Sequence, residues 1–141
     1  MHKPFDQKLF DDNDLIAKTA VSKYLKNNFD VCVFWGYEYF IDLLVVSSVK
    51  SIALIEVERR SNWVDKFPFD TVHVPFRKKK YFVDTLYPTY LFSVRFDCKE
   101  ALFCDGETII NSPVVSKANK YSSGEPFFVV PLAHWTLIEL C

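Results

Sequence analysis

The sequence predicts an α+β, mixed α/β domain. Three observations carry this expectation. Leu15, Ile16, Ala20, Tyr24 and Leu25 recur at helical spacing near the start of the chain. Three apolar, strand-like runs follow, separated by links too short for anything but antiparallel turns. A second helical stretch then precedes a fourth strand, giving the order α-β-β-β-α-β with extra strands toward the C-terminus.

Asp11-Asp12-Asn13 is a helix start signal, and the first helix is expected from Asp14 to about Lys26, ending at Asn27-Asn28. Val31–Trp35 is the first strand, with Gly36 permitting a turn or bulge. Tyr37–Val46 is the second strand, Ser47–Ser51 a turn, and Ile52–Glu58 the third strand, which Arg59 leaves. Pro68 breaks the next stretch into loop, and Thr71–Val74 is a short strand. Pro75 suits the first position of a helix running to about Leu86, with Pro88 beyond it. Thr89–Phe96 and Ala101–Cys104 are strands, and Asp105-Gly106 is a turn from which Thr108–Ile110 pairs back. Residues 111–124 are polar and loop-like, and Phe127–Val130 and Trp135–Leu140 are late strands.

The chain has 141 residues, enough to bury one core, and it reads as a single domain over 1–141. Half the residues are hydrophobic and 17% are aromatic, which argues against disorder. Three glycines, with no GxGxxG and no P-loop, remove the usual phosphate-cradling motifs. The net charge of −1 supplies no global attraction to nucleic acid, so any such binding rests on local patches. Cys98 and Cys104 are placed to meet across a hairpin, but buried free thiols are the better reading of the four cysteines. A polar N-terminus and the lack of any apolar run of about 18 residues point to a cytoplasmic protein that neither spans a membrane nor binds one.

The chemistry lies in the second and third strands. Glu56 and Glu58 are two residues apart on an otherwise apolar strand, so both point to one face. Asp42 lies on the strand before, with Glu38 on its face. Carboxylates are costly to bury unpaired. One alternative leaves Glu56 facing solvent and pairs Glu58 with Arg59 or Arg60. The other gathers the acids around a divalent cation such as Mg²⁺ or Mn²⁺, which takes one or two carboxylates plus water and substrate phosphate. Asp42 and Glu56 are then the metal ligands, and Glu58 is the group that orients a water or accepts its proton. No nucleophile elbow surrounds any Ser or Cys.

Asp42 followed after 13 residues by Glu56-Val57-Glu58, on the second and third strands of an α-β-β-β-α-β order, resembles the PD-(D/E)XK nuclease superfamily. The resemblance covers roughly residues 12–97 and departs from the pattern at two positions. Ile41 stands where proline is common, and Glu58 stands where most members carry Lys. It implies a restriction-endonuclease-like core and a metal-dependent hydrolase of phosphodiester bonds. DNA is the expected substrate, and a phage or mobile-element setting follows by analogy. Catalytic roles fall to Asp42, Glu56 and Glu58, with Lys66 or Lys78 as the source of a migrated cation. The alternative is an inactive module on the same fold that binds nucleic acid or protein.

Arg59, Arg60, Arg77, Lys78, Lys79 and Lys80 are the expected phosphate contacts, because Lys and Arg neutralise phosphates irrespective of sequence. Trp63 and Tyr81 flank them as base-stacking candidates, although core packing is the commoner use of such rings. His73 and His134 read as structural, and Arg95 and Asp97 as a local ion pair. Phe103, Phe127, Phe128 and Trp135 supply either core or the surface of a homodimer.

Overall fold

A computed structural model of the chain describes residues 7–36, 41–83, 85–119 and 122–140. Helix α1 (Gln7–Asn28) leads into strands β1 (Val31–Trp35), β2 (Leu43–Ser47) and β3 (Ile52–Arg60). Strand β4 (Thr71–Pro75) and a 3-10 helix (Phe76–Tyr81) follow. Then come β5 (Thr89–Arg95), β6 (Glu100–Asp105), helix α2 (Gly106–Ile110), β7 (Val114–Asn119), β8 (Ser122–Pro131), a second 3-10 helix (Leu132–His134) and β9 (Thr136–Glu139). The fold is α+β and rich in strand. Among the described residues no helix is long and apolar enough to cross a membrane.

Six strands form the main sheet in the order β1-β2-β3-β5-β6-β9. β1, β2 and β3 make the expected antiparallel meander. β5 then runs parallel to β3, with Glu56 opposite Leu91 and Glu58 opposite Ser93. Two adjacent parallel strands need a long crossover. Here it contains β4, which leaves the main sheet and pairs with β8 in a second, three-stranded sheet of order β4-β8-β7.

The side-chain alternation of the main sheet feeds two cores. Leu43, Val45, Ile55, Val57, Phe92 and Val94 pack with Ala17, Val21 and Leu25 of α1. On the opposite face Leu91, Leu102 and Cys104 meet Val72, Val74, Phe128 and Val130 of the small sheet, with Ile109, Trp63, Phe82 and Trp135 closing the cluster. Three of the four late aromatics pack in these cores. Phe128 and Trp135 are buried, and Phe103 stacks on Phe92 at 5.2 Å. Cys32 and Cys104 are free thiols, and burial pushes the Cys104 thiol up to about 12.

Several expected boundaries shift. Residues 11–13 lie inside α1 rather than at its start, and its buried stripe is Ala17, Val21 and Leu25, while Leu15 and Ile16 are exposed. β2 is shorter than expected, and Asp42 sits immediately before it; residues 37–40 of the expected strand, Glu38 among them, lie outside the described residues. β3 continues through Arg59 and Arg60, because β5 pairs with it as far as Arg60. The expected helix over 75–86 is a six-residue 3-10 turn. Asp105-Gly106 opens α2 instead of a hairpin, since the Asp105 carboxylate caps the helix by accepting from the Thr108 amide at 2.9 Å. The polar stretch 111–124 is mostly strand, in β7 and β8.

Candidate active site

The last registered pair of the β2–β3 ladder is Leu43 with Ile55. One step further Asp42 stands across from Glu56. Directly opposed residues of an antiparallel pair share a face, so the two carboxyls are neighbours. The Asp42 side chain also replaces the missing rung: its Oδ2 accepts from the Val57 amide at 2.8 Å. The backbone behind it is pinned by Gly36, whose amide donates to the Asp42 carbonyl at 2.8 Å. A Cβ on Gly36 would collide with the Ile41 carbonyl oxygen, so the close approach requires glycine there.

On β3, Ile55 and Val57 join the α1 core, so Glu56, Glu58 and Arg60 turn toward the small sheet. Glu56 is only 5% exposed, which rules out the solvent-facing alternative. Its Oε1 accepts from Lys78 Nζ at 2.9 Å. Lys78 reaches inward because a 3-10 helix turns once every three residues, placing it on the face of Pro75 and Tyr81. Arg77, Lys79 and Lys80 occupy the remaining positions and are exposed.

The electrostatics knit the group together. Burial pushes the Glu56 carboxyl up to about 7; Lys78 pulls it down, and the Asp42 charge pushes it up again. Burial also acts to lower the Lys78 ammonium, but Glu56, Glu58 and Asp42 together outweigh it and hold the ammonium above its ordinary range. Each acid has a cation of its own. Asp42 Oδ1 lies 3.0 Å from Lys18 Nζ of α1, Glu56 pairs with Lys78, and Glu58 Oε2 lies 3.6 Å from Arg60 Nη2. Arg60 is fixed in turn, donating from Nε to the buried Ser93 hydroxyl at 2.8 Å and from Nη2 to the His73 carbonyl at 2.7 Å.

The other expected contacts are placed elsewhere. Arg59 points to the opposite face of the sheet, donating from Nε to the Phe96 carbonyl at 2.8 Å with its guanidinium over the Phe96 ring. Arg77 pairs with Glu125 at 2.8 Å, and Lys79 and Lys80 lie over Phe76 and Tyr81. Lys66 is exposed. Trp63 is core, its Nε1 donating to the Asp65 carbonyl. His73 is a β4 residue beside Phe127, and His134 is exposed on the second 3-10 helix. Arg95 pairs with Asp97 as expected and also with Glu100.

Among the described residues no three His, Cys, Asp or Glu side chains form a metal-binding group. Two carboxylates, Asp42 and Glu56, are what a Mg²⁺ site completed by water and phosphate asks of a protein. Glu56 Oε2 is buried without a hydrogen-bond partner, an oxygen with unused acceptor capacity. The residues fit a divalent cation on that ground. Lys18 and Ser93 are the members that sequence reading missed. Lys18 adjoins the α1 core stripe with nothing in its spacing to mark it, and Ser93 is one serine in an apolar strand. No family model, no curated protein and no solved structure matches this chain.

Proposed function

We propose that the protein is a metal-dependent nuclease of the PD-(D/E)XK type, with Lys78 standing in for the lysine that Glu58 replaces. The observation that carries the reading is a half-buried lysine, delivered from a different element, that pairs with Glu56 at 2.9 Å in the field of Asp42 and Glu58. The order of the main sheet supports it: an antiparallel meander is followed by a strand that pairs parallel with the third through a long crossover. A restriction-endonuclease-like core is the finer fold assignment that follows, with a 3-10 turn in place of the crossover helix.

Asp42 and Glu56 would hold Mg²⁺ or Mn²⁺. The bound ion would polarise the phosphoryl oxygen and acidify an attacking water. Glu58 Oε2, buried and without a hydrogen bond, accepts the water's proton. Lys78 stays cationic and stabilises the charge that gathers on the phosphoryl oxygens as the P–O bond to the leaving group breaks. Arg77, Lys79 and Lys80, exposed on the same turn, neutralise flanking phosphates.

One observation favours a second reading, a catalytically inactive module that binds nucleic acid or protein: every acid already has a cation partner in Lys18, Lys78 or Arg60. Incubation with single-stranded, duplex and branched DNA and RNA, with Mg²⁺ or Mn²⁺, separates the two. The nuclease gives cleavage that requires the metal and is lost in Asp42→Ala and Lys78→Met. A folded protein that cuts none of these substrates in either metal is the binding module.

A further inference from the structure

Beyond Glu58 along β3 a cavity of about 190 Å³ opens, lined by Arg60, Asn62, Phe67, Phe69, Thr71 and His73. Its contents are unlike either core. Three of its walls are aromatic rings, and the others carry an amide, a hydroxyl and a guanidinium. A cavity of about 150 Å³ is enough for a benzene ring, so this one takes a single planar ring system and not a stacked pair.

The walls are held in advance. Phe67 is wedged edge-on between Trp63, at 5.3 Å between centroids, and Phe69, at 5.8 Å. Trp63 is fully buried, so this row of rings is anchored in the core, while Phe69 at its outer end is 51% exposed. The Arg60 guanidinium is locked along one edge by Ser93 and the His73 carbonyl. Its Nη1 makes no hydrogen bond among the described residues. Arg60 is also the ion-pair partner of Glu58. One side chain thus belongs to both the acidic site and the cavity.

Resting on the nuclease reading for its position, we infer that this cavity receives one unpaired nucleobase of the strand whose phosphate lies at the acidic site. The Phe69 face stacks on the base, and Asn62 and Arg60 Nη1 meet its edge atoms. A base inside a duplex is stacked on both sides and cannot enter. The preferred substrate is therefore single-stranded, or has an extruded nucleotide beside the scissile bond.

The full-length protein in EDTA, where no metal-dependent cleavage proceeds, is titrated with short single-stranded DNA and RNA carrying 2-aminopurine. A blunt duplex and an oligonucleotide with an abasic position serve as comparisons. Expected are tighter binding of the single strands, a change in 2-aminopurine emission, and affinity about tenfold weaker in Phe69→Ala, recovered in Phe69→Tyr. The nucleic acid that gives the emission change identifies the sugar. Phe69 is exposed, so its removal spares the core, and an unchanged urea-unfolding midpoint checks this. Wild-type affinity and emission in both Phe69→Ala and Asn62→Ala overturn the inference. The two proposals fail separately. Asp42-dependent cleavage with an indifferent Phe69→Ala removes the base site and keeps the nuclease, whereas base-dependent emission from a protein that cleaves nothing keeps the base site and removes the nuclease.

Discussion

Lys78 stands in the field of three carboxylates, and the consequences of removing it differ with pH. In Lys78→Met, Glu56 is left buried beside Asp42 without a counter-charge. A loss of about 3 kcal/mol is expected at pH 8, shrinking at pH 5, where Glu56 takes up a proton; urea denaturation at the two pH values measures both. In the wild type the sign follows from Glu56 as well. Its folded value of about 7 exceeds the ordinary 4.5, so its contribution is fully present below 4.5 and is lost, by roughly 3 kcal/mol, as pH rises through 7. Glu56→Gln in EDTA should flatten stability across that window. The raised Lys78 acts only at the alkaline end, where its stabilisation disappears as the ammonium deprotonates. Lys18 sets up a different competition. Its ammonium, 3.0 Å from Asp42 Oδ1, opposes any cation placed there. Lys18→Met should bind Mn²⁺ about tenfold more tightly by calorimetry, since unlike charges at this range interact by about 1–4 kcal/mol.

Asp42 is positioned by Gly36, whose amide donates to its carbonyl, as well as by the strands. Gly36→Ala would push its Cβ into the Ile41 carbonyl and displace Ile41 and the neighbouring Asp42. We expect a loss of about 1–3 kcal/mol in thermal or urea unfolding, together with a fall in metal-dependent cleavage, although Gly36 touches no substrate. The meander itself was legible, because Val31–Trp35 and Ile52–Glu58 are apolar runs with short links. The pairing of Asp42 with Glu56 followed from alternation and register. Lys78 was one of two candidate cations, and only the three-residue period of the turn separates it from its neighbours Arg77, Lys79 and Lys80. Less legible was everything set by partners distant in sequence. Arg59 and Arg60 looked like a loop because the parallel strand that extends β3 comes some thirty residues later. The polar stretch 111–124 looked like a loop because its composition hides the ladder that β7 makes with β8. Asp105-Gly106 fits a hairpin and a helix cap equally well, and the cap is chosen by Thr108, whose amide and hydroxyl both donate to Asp105.

At the scale of the whole molecule the net charge of −1 makes the distribution of charge decisive. The exposed Arg77, Lys79 and Lys80 gather positive charge on one turn beside the acids. Reversing any of them to Glu should weaken nucleic-acid binding similarly across sequences and lower the slope of log affinity against log salt by about 1, as fluorescence anisotropy at several salt concentrations would record. The same turn hangs from β4, and β4 is held by β8, with Thr71 paired to Pro131 about sixty residues further on. A ribosome has therefore delivered all three acids long before the strand that brings Lys78 to them exists. On the nuclease reading, cleavage therefore waits until β8 has been made and has docked on β4, and its timing during synthesis is written into the order of the strands.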